Sequence, residues 1–283
     1  MRSGTRVDAH QHFWRYRPAD YPWIGDSMGV LRRDYLPTDL EPALAGRQLH
    51  SSVAVQASAT VAETEWLLAL AETHPSVAGV VGWVDLCSAD APAVLARLAA
   101  HPRLRGIRHI VQDEPDDAFL LREDFLRGVE ALVELDLTYD ILIYPRQLPA
   151  AVEFVRRLPR HRLVVDHLAK PCIASGILEP WASELRRLAR FDHVHCKLSG
   201  MVTEASWTSW RPEHLRPYVD VALDAFGPDR VMFGSDWPVC LLAASYEEVV
   251  DVAREAVAHL SEGDREAVFG GTAWRFYRLG GGV

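Results

Sequence analysis

Eight apolar runs of strand length, each followed by a stretch with helical spacing, constrain this chain more than any other feature. They begin near Val7, Ser52, Val77, Gly106, Leu137, Arg162, His193 and Arg230. Between them, apolar residues recur every three to four positions, as on the buried face of a helix. Strands joined through helices run parallel, because the crossover returns the chain to the same end of the sheet. Eight such units in 283 residues fit a closed barrel, and no Pro/Gly/Ser-rich linker divides them. The expectation is an α/β fold with one domain over 1–283, a distorted (β/α)8 TIM barrel with long loops after strands 1 and 7. An open doubly wound sheet is disfavoured, because no Gly-x-Gly-x-x-Gly follows the first strand.

Composition removes several classes of function. A net charge of -9, with no basic cluster, argues against nucleic acid as a partner. No apolar run reaches 18 residues and the N-terminal stretch has no leader-like core, so no membrane partner is expected. The four cysteines form no CxxC pair, and a cytoplasmic location is the default. Only two of the 30 basic residues are lysines, Lys170 and Lys197. A chain so biased to arginine uses lysine where a compact ammonium is needed and a planar guanidinium does not fit.

Catalytic groups of a barrel enzyme sit at the C-terminal ends of its strands. The polar residues there are His10 and His12, Gln56, Arg108 with His109, His167, Lys197 and Asp236. In Val7–His12, alternation puts Val7 and Ala9 on one face and Asp8, His10 and His12 on the other. His10 and His12 therefore aim both imidazoles at one metal ion or one substrate. Asp236 is read as functional more than as a helix cap, because it shares a face with Gly234 and Met232. Lys197 on strand seven is read as pointing into the pocket, and Lys170 lies in the loop after strand six. Gln56, Trp23 and Trp237 are candidate pocket walls; of Arg108 and His109, only one can face inward. The loop from His12 to about Asp34 carries five aromatics, which suit either a pocket wall or a loop anchored by its own rings.

The motifs DAHQHFW, DYPWI, DYLPTDL, VDHLAKP, CKLSG and GSDWPVC span residues 8–240. Together they resemble the amidohydrolase superfamily (amidohydrolase family 2), in its sugar-lactonase branch of the L-fuconolactonase and L-rhamnonolactonase type. That resemblance implies a hydrolase that opens the ring ester of a sugar lactone, a small-molecule partner, in the breakdown of a sugar such as L-fucose. It implies Asp236 as general base, with His10, His12 and His167 lining the site. Trp23, Gln56, Arg108, His109, Lys170, Lys197 and Trp237 are the expected substrate-binding residues. A single optional divalent ion, zinc, would be held by His10, His12 and Asp236, and a metal-independent site is the alternative. The fourth strand ends in Arg108-His109 and the fifth offers no histidine, so a two-metal centre is not expected. The chain is expected to be a monomer or homodimer. Two other readings are hydrolysis or decarboxylation of a carboxylated non-sugar substrate, and a non-catalytic barrel that binds sugar acids.

Overall fold

The computed structural model describes residues 6–280. Residues 1–5 and 281–283, including the start of the stretch read above for a leader, lie outside the described residues. The strands are β1 (Val7–Gln11), β2 (Ser51–Val55), β3 (Val77–Gly82), β4 (Leu104–His109), β5 (Thr138–Ile141), β6 (Leu163–Val165), β7 (Val194–Leu198) and β8 (Val231–Phe233). Each pairs in parallel with the next in chain order. The helices are α1 (Pro37–Gly46), α2 (Val61–Thr73), α3 (Ala91–Ala99), α4 (Glu123–Glu134), α5 (Leu148–Arg157), α6 (Trp181–Leu188), α7 (Met201–Glu204), α8 (Pro212–Phe226), α9 (Tyr246–Ala256), α10 (Glu262–Glu266) and α11 (Thr272–Phe276). This is the (β/α)8 barrel that the alternation requires.

The barrel closes between its last strand and its first. Gln11 bridges to Trp237, the Asp236 amide donates to His10 O at 2.8 Å, and the His12 amide donates to Trp237 O at 2.6 Å. A side chain at position 234 would forbid this approach, since its Cβ would fall 2.5 Å from His10 Cβ. Glycine at 234 therefore sets how near Asp236 comes to the two histidines.

Strand parity sorts the core into two apolar bodies. Ala54, Val80, Ile107, Ile141, Val165, Leu198 and Phe233 pack outward against the helices. Val7, Ala9, Val53, Val55, Val81, Val164 and Met232 fill the lower barrel, together with Phe276 and Tyr277 from the C-terminal segment. Burying each of the larger side chains among them, Val, Leu, Ile, Met or Phe, stabilises the fold by about 1.5–3 kcal/mol before entropy is counted. Parallel partners share a face, so Arg108, Asp140, Val164 and His195 point inward, as do Lys197 and Met232.

Two local expectations change. The register of β1 shifts between Asp8 and Gln11, so strict alternation fails there. Asp8 turns away from the site to accept from Ser235 N at 2.9 Å and Tyr246 OH at 3.2 Å, while His10 and His12 both reach the interior. In the loop after β1, Phe13, Trp14 and Tyr21 are buried in the core. Trp14 packs edge-on against Tyr35 and Trp23. That loop is held mainly by its own rings, and of its aromatics Trp23 alone, 36% exposed, lines the cavity described next.

Candidate active site

The top of the barrel opens into a cavity of about 400 Å³ whose lining includes His12, Trp23, Arg108, His167, Lys170 and Asp236. At its base Asp236 Oδ1 lies 3.3 Å from His12 Nε2, 3.8 Å from His10 Nε2 and 3.9 Å from His167 Nε2. His10 Nε2 and His12 Nε2 are 3.2 Å apart. All four residues are buried.

Three backbone devices aim these groups. Asp236 takes φ +59°, a left-handed conformation that aspartate tolerates better than most residues. After β6 the chain makes a left-handed turn, with His167, Leu168, Ala169 and Lys170 at φ 53°, 56°, 57° and 50°. Each such residue costs roughly 1–2 kcal/mol. The turn is held by burial of Leu168 and Ala169 and by Trp181 Nε1 donating to Leu168 O at 2.6 Å. It directs His167 and Lys170, three residues apart, into the cavity. The third device is Gly200, at φ +65°, where a Cβ would fall 2.6 Å from His167 Nδ1. The bare glycine lets His167 sit against Ser199, whose Oγ is 2.9 Å from Nδ1.

Beneath His10 lies a buried charge lattice. Lys197 Nζ is 2.5 Å from Asp140 Oδ2, 2.9 Å from Asp166 Oδ1 and 3.1 Å from His10 Nδ1. Arg108 Nη1 is 3.0 Å from Asp166 Oδ2 and 3.3 Å from His10 Nε2, and Tyr277 OH donates to Asp140 Oδ2 at 2.7 Å. Two cations thus neutralise two carboxylates that burial would otherwise disfavour. Lys197 points inward as expected, but it is fully buried under the floor and does not line the cavity.

The protonation states follow from these neighbours. Burial and the Lys197 charge push His10 well below its ordinary range. Burial lowers His167 to about 4. For Asp236 burial opposes ionisation, but the neighbouring imidazoles of His167, His12 and His10 outweigh it and hold the carboxyl below the usual range. At neutral pH the site holds an ionised carboxylate beside the neutral imidazoles of His10 and His167.

That donor set fits a divalent metal, with zinc the ion to which two imidazoles and a carboxylate are suited. Ligands about 2.0–2.1 Å from a tetrahedral zinc stand about 3.3 Å from one another. The separations among His10 Nε2, His12 Nε2 and Asp236 Oδ1 bracket that value. His12 Nδ1–H donates to Val55 O at 2.8 Å, which leaves the Nε2 lone pair free for an ion. A second grouping, His10, Asp166 and His167, is less suited, because Lys197 and Arg108 already hold both Asp166 oxygens.

The remaining expected residues lie outside the cavity lining. Gln56, fully buried, donates from Nε2 to Arg108 O at 3.3 Å, while Arg108 Nη2 donates to Gln56 O at 2.5 Å. His109 faces away, with Nε2 2.7 Å from Glu114 Oε1 and its ring stacked on Phe119. Trp237 packs on Phe13 and Tyr35. Conversely, Tyr144, Glu204 and Trp207 line the cavity without having been singled out. Two of them lie in the long segment after strand seven, whose length was the available signal.

Comparison with known proteins places this geometry among relatives. The amidohydrolase family profile matches residues 7–279. The chain is 51% identical to the L-fucono-1,5-lactonase of Burkholderia multivorans, over 97% of this chain and 96% of that protein. It is 43% identical to the L-fucono-1,5-lactonase of Burkholderia ambifaria, with the same coverage. The crystal structure of a Burkholderia multivorans amidohydrolase with bound zinc superposes with a TM-score of 0.93 at 50% identity, over 97% of this chain and 99% of that one.

Proposed function

The chain belongs to the amidohydrolase family, and from that premise we propose that it hydrolyses the ring ester of a sugar lactone, L-fucono-1,5-lactone or a near relative. The observation that carries this reading is the buried, ionised Asp236 among three imidazole Nε2 atoms at the base of a cavity lined by hydrogen-bonding side chains. The 51% identical lactonase supports the substrate class.

Asp236 acts as general base, taking a proton from the attacking water, a contribution of roughly 10²- to 10⁴-fold. Its carboxylate is ready at neutral pH because its neighbours favour the ionised form. The Arg108 guanidinium and the neutral imidazole of His167 face the cavity beside it. They stabilise the oxyanion that forms when water adds to the carbonyl, each donor worth on the order of 3 kcal/mol. Collapse of the tetrahedral adduct then breaks the bond between the acyl carbon and the ring oxygen, which leaves as a hydroxyl by taking the proton held on Asp236, and the carboxylate is restored. Zinc held by His10, His12 and Asp236 would supply Lewis-acid polarisation of a carbonyl. Lys197, Asp140 and Asp166 hold His10 in place from below.

A substrate carrying several carboxylates suits this cavity less well. Its acidic residues include Asp113 and Glu204, while Arg108 and Lys170 are its cations among the described residues. The reading places the reaction in the cytoplasm, supported by four free cysteines. No helix among the described residues is long and apolar enough to cross a membrane.

The test is acid release from a panel of aldonolactones and dicarboxylate lactones, run with and without chelator on metal-analysed protein. Turnover of hydroxylated 1,5-lactones is expected. Turnover confined to dicarboxylate lactones, or binding without turnover between pH 6 and 9, refutes the reading.

A further inference from the structure

Lys170 and Glu204 make a second charged pair on the cavity wall. Lys170 Nζ and Glu204 Oε1 stand 3.4 Å apart, and the two side chains are 18% and 22% exposed. Both line the cavity. Lys170 is presented by the left-handed turn, and its ammonium lies 5.4 Å from the Tyr144 ring centre. Glu204 closes α7, the short helix entered through Gly200.

The geometry differs from that of a structural ion pair. Closely held N⁺–H···O⁻ contacts run about 2.7–2.9 Å, and the buried Lys197–Asp140 pair is 2.5 Å. At 3.4 Å the Lys170–Glu204 contact is open, so each group keeps hydrogen-bonding capacity for a third partner. Neither charge is a necessity of the fold, because the turn and α7 are anchored by Leu168, Ala169, Met201 and Val202 in the core. Burial raises the Glu204 carboxyl, with Asp236 adding to the effect and Lys170 opposing it. A sugar hydroxyl both donates and accepts, and so satisfies a carboxylate and an ammonium together.

Resting on the lactonase reading, we infer that Lys170 and Glu204 are specificity-determining residues that bind ring hydroxyls and select polyhydroxylated lactones over unsubstituted ones. Lys170 donates to a hydroxyl oxygen, and Glu204 accepts from that hydroxyl or its neighbour. A lactone without hydroxyls leaves both charges unserved in a half-buried wall, and sites built on such contacts reject the lacking analogue strongly. The arrangement also accounts for the chain's two lysines. One is locked in the lattice below His10, and the other presents a compact ammonium to the substrate.

The experiment compares an aldono-1,5-lactone with δ-valerolactone, the same ring without hydroxyls, for the wild-type enzyme and the Lys170→Met and Glu204→Gln variants. Hydrogen bonds to charged groups are worth roughly 10- to 10²-fold. The specificity ratio, kcat/KM on the sugar lactone over that on valerolactone, is expected to fall by that factor in each variant, mainly through KM on the sugar lactone. A parallel fall on both substrates, or an unchanged ratio, overturns the inference. Glu204→Gln, which conserves volume, carries the test if Lys170→Met fails to fold. A wild-type enzyme that opens valerolactone but no hydroxylated lactone also overturns it, with lactone hydrolysis still standing. One that opens neither overturns the lactonase reading itself.

Discussion

Replacing Gly200 by alanine separates the backbone's part in the site from side-chain chemistry. Gly200 sits at φ +65°, and a Cβ there would fall 2.6 Å from His167 Nδ1 and 2.8 Å from its Cγ. The ring is hemmed in by His10, 4.4 Å away between ring centres, so relief displaces His167 and breaks its 2.9 Å contact with Ser199. The left-handed backbone alone costs an alanine about 1 kcal/mol. Overpacking adds about 1–3 kcal/mol, for a total of roughly 2–4 kcal/mol. At about 2–4 °C per kcal/mol for a chain of this size, Tm falls by roughly 4–16 °C. A misplacement near 1 Å costs on the order of 10²-fold in rate. Gly176 supplies the control, with φ +68° and nothing within 4 Å of the point where a Cβ would sit. Gly176→Ala should lose only about 1 kcal/mol and keep its activity. Calorimetric Tm and kcat/KM on a sugar lactone read both effects. Equal losses in the two variants, or full activity in Gly200→Ala, would refute the reasoning.

Asp236→Asn should lower kcat by roughly 10²- to 10⁴-fold in steady-state assays, and near-native turnover would remove Asp236 as base. Burial lowers His167 to about 4, and a group with a lowered value keeps its neutral form above it. The pH profile of kcat/KM should therefore stay flat through neutrality and fall only as pH drops toward about 4; an inflection near the ordinary histidine value counts against this. Lys197→Met leaves fully buried Asp140 without its cation and Asp166 with Arg108 alone, and should cost about 3–5 kcal/mol in denaturant unfolding. Adding Asp140→Asn should recover part of that loss. His12→Ala should weaken zinc binding by roughly 10-fold or more in chelator competition, since it removes a donor that Val55 O holds in place.

Much of this molecule was legible in its sequence because the barrel imposes two simple periods. Parallel strands buried on both faces read as apolar runs, and all eight fall where those runs do. The strand-end rule picked out His10, His12, His167, Arg108 and Asp236 for the same reason, and the fold brings these five side chains together. What stayed hidden depends on depth and on loops. Parity correctly turned Lys197 inward, but only the three-dimensional layering puts it below His10 and out of the cavity. Asp8 was misassigned because a register shift in β1 has no residue signature. Thr60 caps α2, accepting from Glu63 N at 3.1 Å, and the Glu63 carboxylate serves Ala57 N, Ser58 N and Tyr21 OH, partners that tertiary contacts and not local spacing select. Glu204 and Tyr144 lie beyond strand ends, where no periodicity marks which side chain turns to the cavity.

The contact between Tyr277 and Asp140 has a consequence for how the protein is made. Through Asp140 and Lys197, a residue near the last turn of the chain props His10, which lies near its beginning, and Asp236 arrives only with β8. During synthesis the first two histidines therefore emerge long before anything exists to orient them. A nascent chain halted after β7 lacks both Asp236 and the lower support of its first strand, however well the earlier units have formed. Catalytic competence is thus gained in one late step, which a ribosome-arrested length series would register as an abrupt onset of activity beyond residue 277.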